Sequence, residues 1–471
     1  MPFDVQELVK RVEHSIHVQR EAVRVVDENR LRQTIERLVE VSALESGPRQ
    51  GWARYLVRMA ALELGIVPCS IHEVYMARGR GEIAPTFAVP ALNLRVLPFT
   101  AARAAFRVAQ ELNAGALIFE IARSEIGYTA QRPAEYATAI LAAAIAEGWR
   151  GPVFIQGDHF QVSARRYASS PEAELHAVRE LTREAIHAGF FNIDIDTSTL
   201  VDVSKPSLDE QQKLNYQLSA EFSAYIREIE PPGVTISIGG EIGEVGGHNS
   251  TEPELRTYMD GYRRELAKYT SRPGLSKISI QTGTSHGGVV LPDGRIAEVS
   301  VDFETLRHLS RVARQEYGLA GAVQHGASTL PEEAFGKFVE YEACEVHLAT
   351  NFMNIFYDHI PESLRREMYA WLDVNAAGER KPGMSEAQFY YKTRKNALGP
   401  FKPQIYALPA EIKERLSAAW EAQFRRLFTA LGLADTRPII ERFACPVLIT
   451  PRLSDYVAEE MAGEDVSDLA D

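Results

Sequence analysis

The sequence predicts an α/β protein, a (β/α)8 barrel with a helical extension at its N-terminus and another at its C-terminus, and three observations carry that expectation. Eight short apolar runs rich in Val, Ile and Phe alternate with longer amphipathic stretches between Thr86 and Asn351, as parallel strands joined by helices do. Residues able to bind a metal stand directly after four of those runs, and the strand ends of a barrel face a common centre. At 471 residues the chain exceeds one ordinary domain but suits a barrel with additions at its ends. A doubly wound open sheet would show the same alternation, so the placement of the polar residues is what favours the barrel.

Taken in order, residues 1 to about 80 read as helices only, with Leu31, Ile35, Leu38 and Val39 at helical spacing among Arg and Glu. The strands follow as TFAVPALN, ALIFEI, VFIQ, NIDI, VTISI, KISIQ, AGAVQ and ACEVHL. Between the third and fourth, Ser170 and Pro171 open a helix that Gly189 closes: an N-cap, a proline in the first turn and a glycine after the last. Thr100 and Pro331 open similar helices. Ser363 to Lys402, charged and aromatic, reads as an ordered excursion, and two helical stretches follow around Ala410 to Leu433. Beyond Arg452 the chain is acidic without Lys or Arg, and this tail is expected to be solvated and mobile. The expected division is a helical extension over 1–80, a catalytic barrel over 81–360, and a C-terminal helical extension with an acidic tail over 361–471. No internal repeat or low-complexity tract is present.

Hydrophobic residues at 45% and charged residues at 24% give the balance of a globular protein with a buried core. A net charge of −13 argues against a nucleic-acid or acidic-membrane partner, because phosphate backbones are bound through accumulated Lys and Arg. Any anionic substrate must therefore meet positive charge placed locally. Cys69, Cys344 and Cys445 are scattered without a CxxC pair and leave one thiol over in any pairing, which reads as reduced thiols in a cytosol. The opening residues lack an apolar core of signal-peptide length, and no run reaches the roughly 18 apolar residues of a membrane span, so a soluble cytoplasmic protein is expected.

The residues after the strands are Asp158 and His159 in FIQGDHF, Glu241 in ISIGGEIG, His286 in QTGTSHGG and His325 in AVQHGAS. Imidazole nitrogen and carboxylate oxygen suit Zn²⁺, and three ligands with a vacant position make a catalytic site. A single histidine at a strand end is more often a hydrogen-bonded structural residue; three at separate rim positions are harder to account for that way. His14, His17, His176, His187 and His308 fall in expected helices and carry no role.

With these residues in view, the chain resembles the class II fructose-bisphosphate aldolase family from about Ile71 to Phe356, and more weakly through Lys402. FAVPALN resembles the family's first-strand motif ending in asparagine, here Asn93; GDHF resembles its Asp-His pair. GGEIGEVGG, TSHGG and QHGAS resemble the segments carrying the zinc-associated glutamate and the two remaining zinc histidines. The resemblance thus implies His159, Glu241, His286 and His325 as metal residues, Asp158 as the catalytic proton carrier and Asn93 as a substrate contact. Asp196 in DTS falls either near a second metal position or in a merely supporting place. The departures are equally informative. His248, Asn249 and Ser250 stand where the family carries Glu-Asp, leaving Glu252 or Glu254 as a loop base or as plain solvent-facing residues. His347, Leu348, Ala349 and Thr350 replace Asn-x-Asp-Thr, and HGGVVLPDG lacks the usual basic residue. Gly287, Gly326, Ser328 and Thr350 remain as phosphate contacts through amides and hydroxyls. FYYKTRKN resembles a segment that delivers an arginine to a neighbouring subunit, making Arg394 either a second phosphate contact or part of a solvated basic face.

The implied reaction is reversible aldol cleavage of fructose 1,6-bisphosphate to dihydroxyacetone phosphate and glyceraldehyde 3-phosphate. The metal would stabilise the enediolate without a lysine Schiff base, Glu241 would leave it as substrate arrives, and Asp158, taken to point opposite to His159, would exchange the hydroxyl proton. ALIFEIARSE and DIDTS also resemble the tagatose 1,6-bisphosphate system, so a tagatose-bisphosphate aldolase and a noncatalytic barrel subunit of such an enzyme stand as alternatives. A homo-oligomer is expected from the extensions and from Arg394, and a monovalent cation stays open beside zinc.

Overall fold

The apolar runs form the strands of one closed sheet in this computed structural model, which describes residues 4–243, 248–284, 291, 301–328, 330–457 and 468–469. Two short strands, β1 (Ile16–Gln19) and β2 (Ala22–Val25), pair antiparallel near the N-terminus, and β3 (Ile66–Cys69) precedes the barrel. The barrel strands are β4 (Val89–Asn93), β5 (Ile118–Ala122), β6 (Gly151–Gln161), β7 (Asn192–Asp196), β8 (Ser237–Glu241), β9 (Lys277–Ile280), β10 (Ala322–Gln324) and β11 (Glu345–Leu348). Each pairs in parallel with the next, β11 pairs with β4, and the pairing of β6 with β7 completes the ring. Every residue of β4, β5, β7, β8, β9, β10 and β11 is buried, as expected of parallel strands covered by helices outside and side chains inside.

The helices take their ends from local chemistry. Pro171–Ala188 begins with proline and stops at Gly189, whose φ of 100° puts it in the left-handed region that an L side chain resists. Pro98–Glu111 opens two residues before Thr100, at the proline.

The first 80 residues are largely helical, and the expectation of helices only is corrected by the β1–β2 hairpin and by β3. Four-residue strands are too short for their alternation to stand out against neighbouring helices. β3 pairs with the first residues of β6, Ile66 opposite Gly151 through Cys69 opposite Phe154, while β7 takes β6 further along. The Asn192 amide stitches this junction, donating to Cys69 O at 3.1 Å and Ile155 O at 3.0 Å and accepting from Ile71 N at 2.8 Å.

The terminal segments share the main core, in which Leu8, Leu56, Trp420 and Phe424 are all fully or almost fully buried. Helix Ala410–Ala430 lies along Pro98–Glu111, where Arg107 meets Glu421 at 2.9 Å and Ser417 at 2.7 Å. Two described residues of the segment after Arg452 depart from the expected solvated tail, most of which lies outside the described residues. Ser454–Val457 is a short helix against Pro48–Glu63 with Tyr456 buried beside Tyr55, and Asp468 is ion-paired with Arg166. An aromatic anchor and a single well-placed carboxylate outweigh what average composition suggests. Among the described residues no helix is long and apolar enough to cross a membrane.

His72, at the start of helix His72–Gly79, is buried and its Nδ1 has no hydrogen-bond partner among the described residues. Burial, with Arg227 and Arg80 nearby, pushes its pKa down to about 3. The folded state therefore refuses a proton that the unfolded chain accepts below about pH 6.5. The associated stability is complete above that pH and declines toward pH 3, by about 2 kcal/mol at pH 5. Urea unfolding at pH 7.5 and pH 5 should give a smaller pH difference for His72→Phe than for the parent; equal differences would contradict this.

Candidate metal and active centre

Along each barrel strand every second side chain points inward, and in this chain many of those positions are polar. They form two tiers. The lower tier holds Glu120, Gln156, Asp194, Lys277 and Glu345, all buried. Lys277 Nζ donates to Glu345 Oε1 at 2.5 Å, Gln156 Oε1 at 2.8 Å and Asp194 Oδ2 at 2.9 Å. Gln156 Nε2 donates to Glu120 Oε2 at 2.7 Å and Glu345 Oε1 at 3.0 Å, and Tyr75 donates to the other Glu345 oxygen. A side chain at Gly239 would place its Cβ 2.4 Å from Asp194 Oδ1, so the ion pair needs glycine there. Burial disfavours the Lys277 charge, but Asp194 and Glu345 outweigh it and hold the ammonium, while Glu345 is kept well below its ordinary pKa. Burial raises Asp194 to about 6, and burial with the Asp158 charge raises Glu120 to about 8. Lys277→Met should lower unfolding stability by about 3–5 kcal/mol, because it strips the counter-charge from a buried carboxylate pair. A urea denaturation curve within about 1 kcal/mol of the parent would refute the network's role.

The upper tier, at the C-terminal ends of the strands, holds Asp158, His159, Asp196, Glu241, Ser279, His325 and His347. Regular alternation sends Asp158 and His159 to opposite faces, which is the expectation from sequence. A register shift between Gly157 and Phe160 changes this, with His159 at φ 39°. The bulge turns both side chains toward the same cluster, a usual service of bulges beside active sites. Its tightness shows at Gly157, where a Cβ would lie 2.4 Å from the Phe160 ring.

His159, Glu241 and His325 are buried with ligand-type atoms all within 4.8 Å of one another. His159 Nε2 and His325 Nδ1 face each other at 3.0 Å. The outer nitrogens are both engaged: His159 Nδ1 donates to Asp196 Oδ2 at 3.2 Å, and His325 Nε2 is hydrogen-bonded to Ser279 Oγ at 3.0 Å. Inner nitrogens that converge while outer ones are held by a carboxylate and a hydroxyl match the donor set and orienting shell of a metal site, with Glu241 Oε2 3.5 Å from His159 Nδ1. These residues fit a divalent cation. Asp196, placed in sequence near a second metal or in a supporting position, orients His159. Burial opposes charge on His159, but Asp158, the Asp196 hydrogen bond and Glu241 raise its pKa well above the ordinary value. Burial and Asp196 raise Glu241 in turn. The pocket thus favours positive charge at its centre, and a cation there would replace those protons. His286 and Gly287 lie outside the described residues.

Asp158 is the anionic member. Burial would raise its pKa, yet His159 and His347 hold it well below the usual range. Asn93 Nδ2 donates to Asp158 Oδ2 and to Glu125 Oε2, both at 2.9 Å, so Asn93 positions the carboxylate. His347 Nδ1 lies 3.2 Å from Asp158 Oδ1 and 3.1 Å from Glu120 Oε1, its Nε2 is 2.6 Å from Glu345 Oε1, and its ring centroid is 4.0 Å from that of His325, tilted by 45°. In the sequence His347 stands out only as a departure from the family pattern, although Glu345 and His347, two apart in one strand, share a face. Asp158, His325 and His347 form a second metal-competent grouping.

Gly326 follows His325; Ser328 Oγ accepts from Ala349 N at 2.6 Å, which brings it to the start of helix Thr350–His359, where Thr350 is buried. Arg394 is buried within its own chain, with Nη2 on Asn354 Oδ1 and its guanidinium 4.2 Å from the Tyr391 ring centroid and 5.2 Å from that of Tyr357. Glu254 is taken up by a capping box with Thr251 and by His248 Nε2 at 2.7 Å, and Glu252 pairs with Arg256 and His308.

A closed parallel barrel whose C-terminal rim gathers imidazoles and carboxylates is the arrangement that metal-assisted (β/α)8 enzymes use. The chain belongs to the class-II fructose-bisphosphate aldolase family, which it matches over residues 83–418. That family is one of metal-dependent lyases, and it implies a sugar phosphate substrate. Among solved structures the chain is similar to the fructuronate-tagaturonate epimerase of Cohnella laeviribosi, with 12% identity, a TM-score of 0.55 and 90% of each chain covered. It is also similar to a probable tagatose 6 phosphate kinase of Sinorhizobium meliloti, with 15% identity, a TM-score of 0.51, and 76% of this chain and 99% of that one covered. A fructose-bisphosphate aldolase of Campylobacter jejuni matches at 18% identity and a TM-score of 0.46, over 79% of this chain and 97% of that one.

Proposed function

We propose that the chain catalyses reversible aldol cleavage of fructose 1,6-bisphosphate, with zinc held by His159, Glu241, His325 and His286. The observation that supports this most is the convergence of His159, Glu241 and His325 directly beside the anionic Asp158. When bound, the metal supplies Lewis acidity that makes the carbanion of the cleaved ketose tolerable. Asp158 takes the proton from the hydroxyl at the breaking bond and returns it in the condensation direction. Asn93 and His347 hold that carboxylate at two of its edges. Burial of the whole set keeps water from the reacting carbons and strengthens each charge interaction. Ser328 and Thr350, beyond the ends of β10 and β11, hold a phosphate in this reading. The test is a zinc-loaded protein assayed for dihydroxyacetone phosphate release from fructose and tagatose 1,6-bisphosphates. Fructose bisphosphate is expected to be cleaved with the higher kcat/KM. No release from either with a full equivalent of zinc would favour the noncatalytic subunit instead.

A second reading, inversion at C4 of a ketose, draws support from the epimerase likeness, which spans the terminal extensions as well as the barrel. The same chemistry serves it: C3–C4 cleavage, rotation of the aldehyde, and re-formation of the bond on the other face, with no net oxidation. Carbon NMR separates the two, since an epimerase accumulates the C4 epimer without free aldehyde.

A further inference from the structure

The rim beyond β6 carries a polar arrangement that the aldol chemistry does not use. Past Gln161 the chain turns at Ser163, which is 1% exposed, and enters the short helix Ala164–Ser169. Ser163 Oγ donates to Asp468 Oδ2 at 2.6 Å. Arg166 holds the same carboxylate, from Nε at 3.1 Å to each oxygen and from Nη2 at 2.5 Å to Oδ1. Behind them lies a second pair, Arg123 Nη1 on Glu174 Oε1 at 2.5 Å, with Arg166 Nη1 4.0 Å from Glu174 Oε2. Glu174 is fixed in turn by Ser163 N at 2.7 Å, and Arg123 by Gln161 O at 2.6 Å. The set is thus two guanidiniums and two carboxylates, and three of its members come from the barrel and its loops. The fourth, Asp468, arrives from near the end of the chain.

We propose that Ser163 and Arg166 form a subsite for the anionic terminal group of the substrate, a phosphate or a carboxylate, which the chain's own Asp468 occupies in competition. The inference rests on the reading that a ketose binds above His159, and three observations support it. The first is position: Ser163 lies four residues beyond His159 on the same rim segment, and Gln161 Nε2 donates at 2.6 Å to the Asp196 oxygen that orients His159. The second is shape, because a planar guanidinium with a buried hydroxyl beside it matches a carboxylate or phosphate edge bidentately. The third is charge. In a chain of net charge −13 concentrated guanidinium is what favours an anion most, and displacing Asp468 leaves two guanidiniums on one carboxylate.

The test is isothermal titration of the full-length, zinc-loaded chain with inorganic phosphate and, separately, malonate. Asp468→Asn is expected to bind its preferred anion at least about tenfold more tightly than the parent, the scale of one charge-assisted hydrogen bond. Adding Arg166→Met should abolish that gain, and Arg166→Lys should restore part of it, which guards against misfolding as the cause. Phosphate preferred over malonate identifies a sugar phosphate; the reverse identifies a sugar acid. In steady state Asp468→Asn should lower KM for the corresponding ketose. Equal anion affinity in parent and Asp468→Asn, or a gain that survives Arg166→Met, overturns the proposal. These titrations need no turnover, so a chain that binds anions in this way yet cleaves no ketose bisphosphate would refute the aldolase reading alone.

Discussion

Substituting alanine for His325 is expected to leave a folded protein that no longer retains zinc and no longer turns over. His325 Nδ1 lies 3.0 Å from His159 Nε2, and Ser279 holds its other nitrogen, so the ring has no freedom to be replaced by a neighbour. Loss of a mere orienting partner typically weakens metal binding by about 10- to 100-fold, and loss of the ligand itself should exceed that. Dialysis against a metal-buffered solution followed by elemental analysis measures it. Ser279→Ala, which removes only the orienting hydroxyl, should fall between the parent and His325→Ala. Parent-like zinc content in His325→Ala would remove the residue from the metal site.

Asp158→Asn separates proton transfer from metal binding. Asparagine keeps the shape and leaves His159, Glu241 and His325 in place, but it cannot take a proton at neutral pH. A fall of about 10²- to 10⁴-fold in kcat is expected, with zinc content unchanged. Because Asn93 and His347 both point at this carboxylate, Asn93→Ala should reproduce part of the kcat loss by letting it swing. An Asp158→Asn protein that turns over like the parent would mean that another group moves the proton, with His347 the first to examine.

The barrel was legible because its strands are continuous apolar runs separated by amphipathic helices, a contrast that survives without any knowledge of register. His159, Glu241 and His325 were legible for a related reason: each interrupts or follows such a run, where a polar side chain must have a purpose. Glu120, Lys277 and His347 were harder to read. They sit inside strands, and only the inward or outward phase of each strand decides whether such a residue faces the barrel interior or its helices. The pairing of Asp158 with His159 was misread for a physical reason, since a bulge reverses the alternation at one residue and leaves no composition signal beyond Gly157. Acidic composition predicts solvation on average and says nothing of single residues, so the burial of Tyr456 against Pro48–Glu63 and the pairing of Asp468 with Arg166 were not legible.

Anomalous diffraction at the zinc edge, from crystals of the zinc-loaded chain, tests the central claim most directly. A single strong peak per chain, within bonding distance of His159, Glu241 and His325 and adjacent to Asp158, is the expected result. A peak elsewhere, or none in protein that still cleaves its ketose, would contradict it.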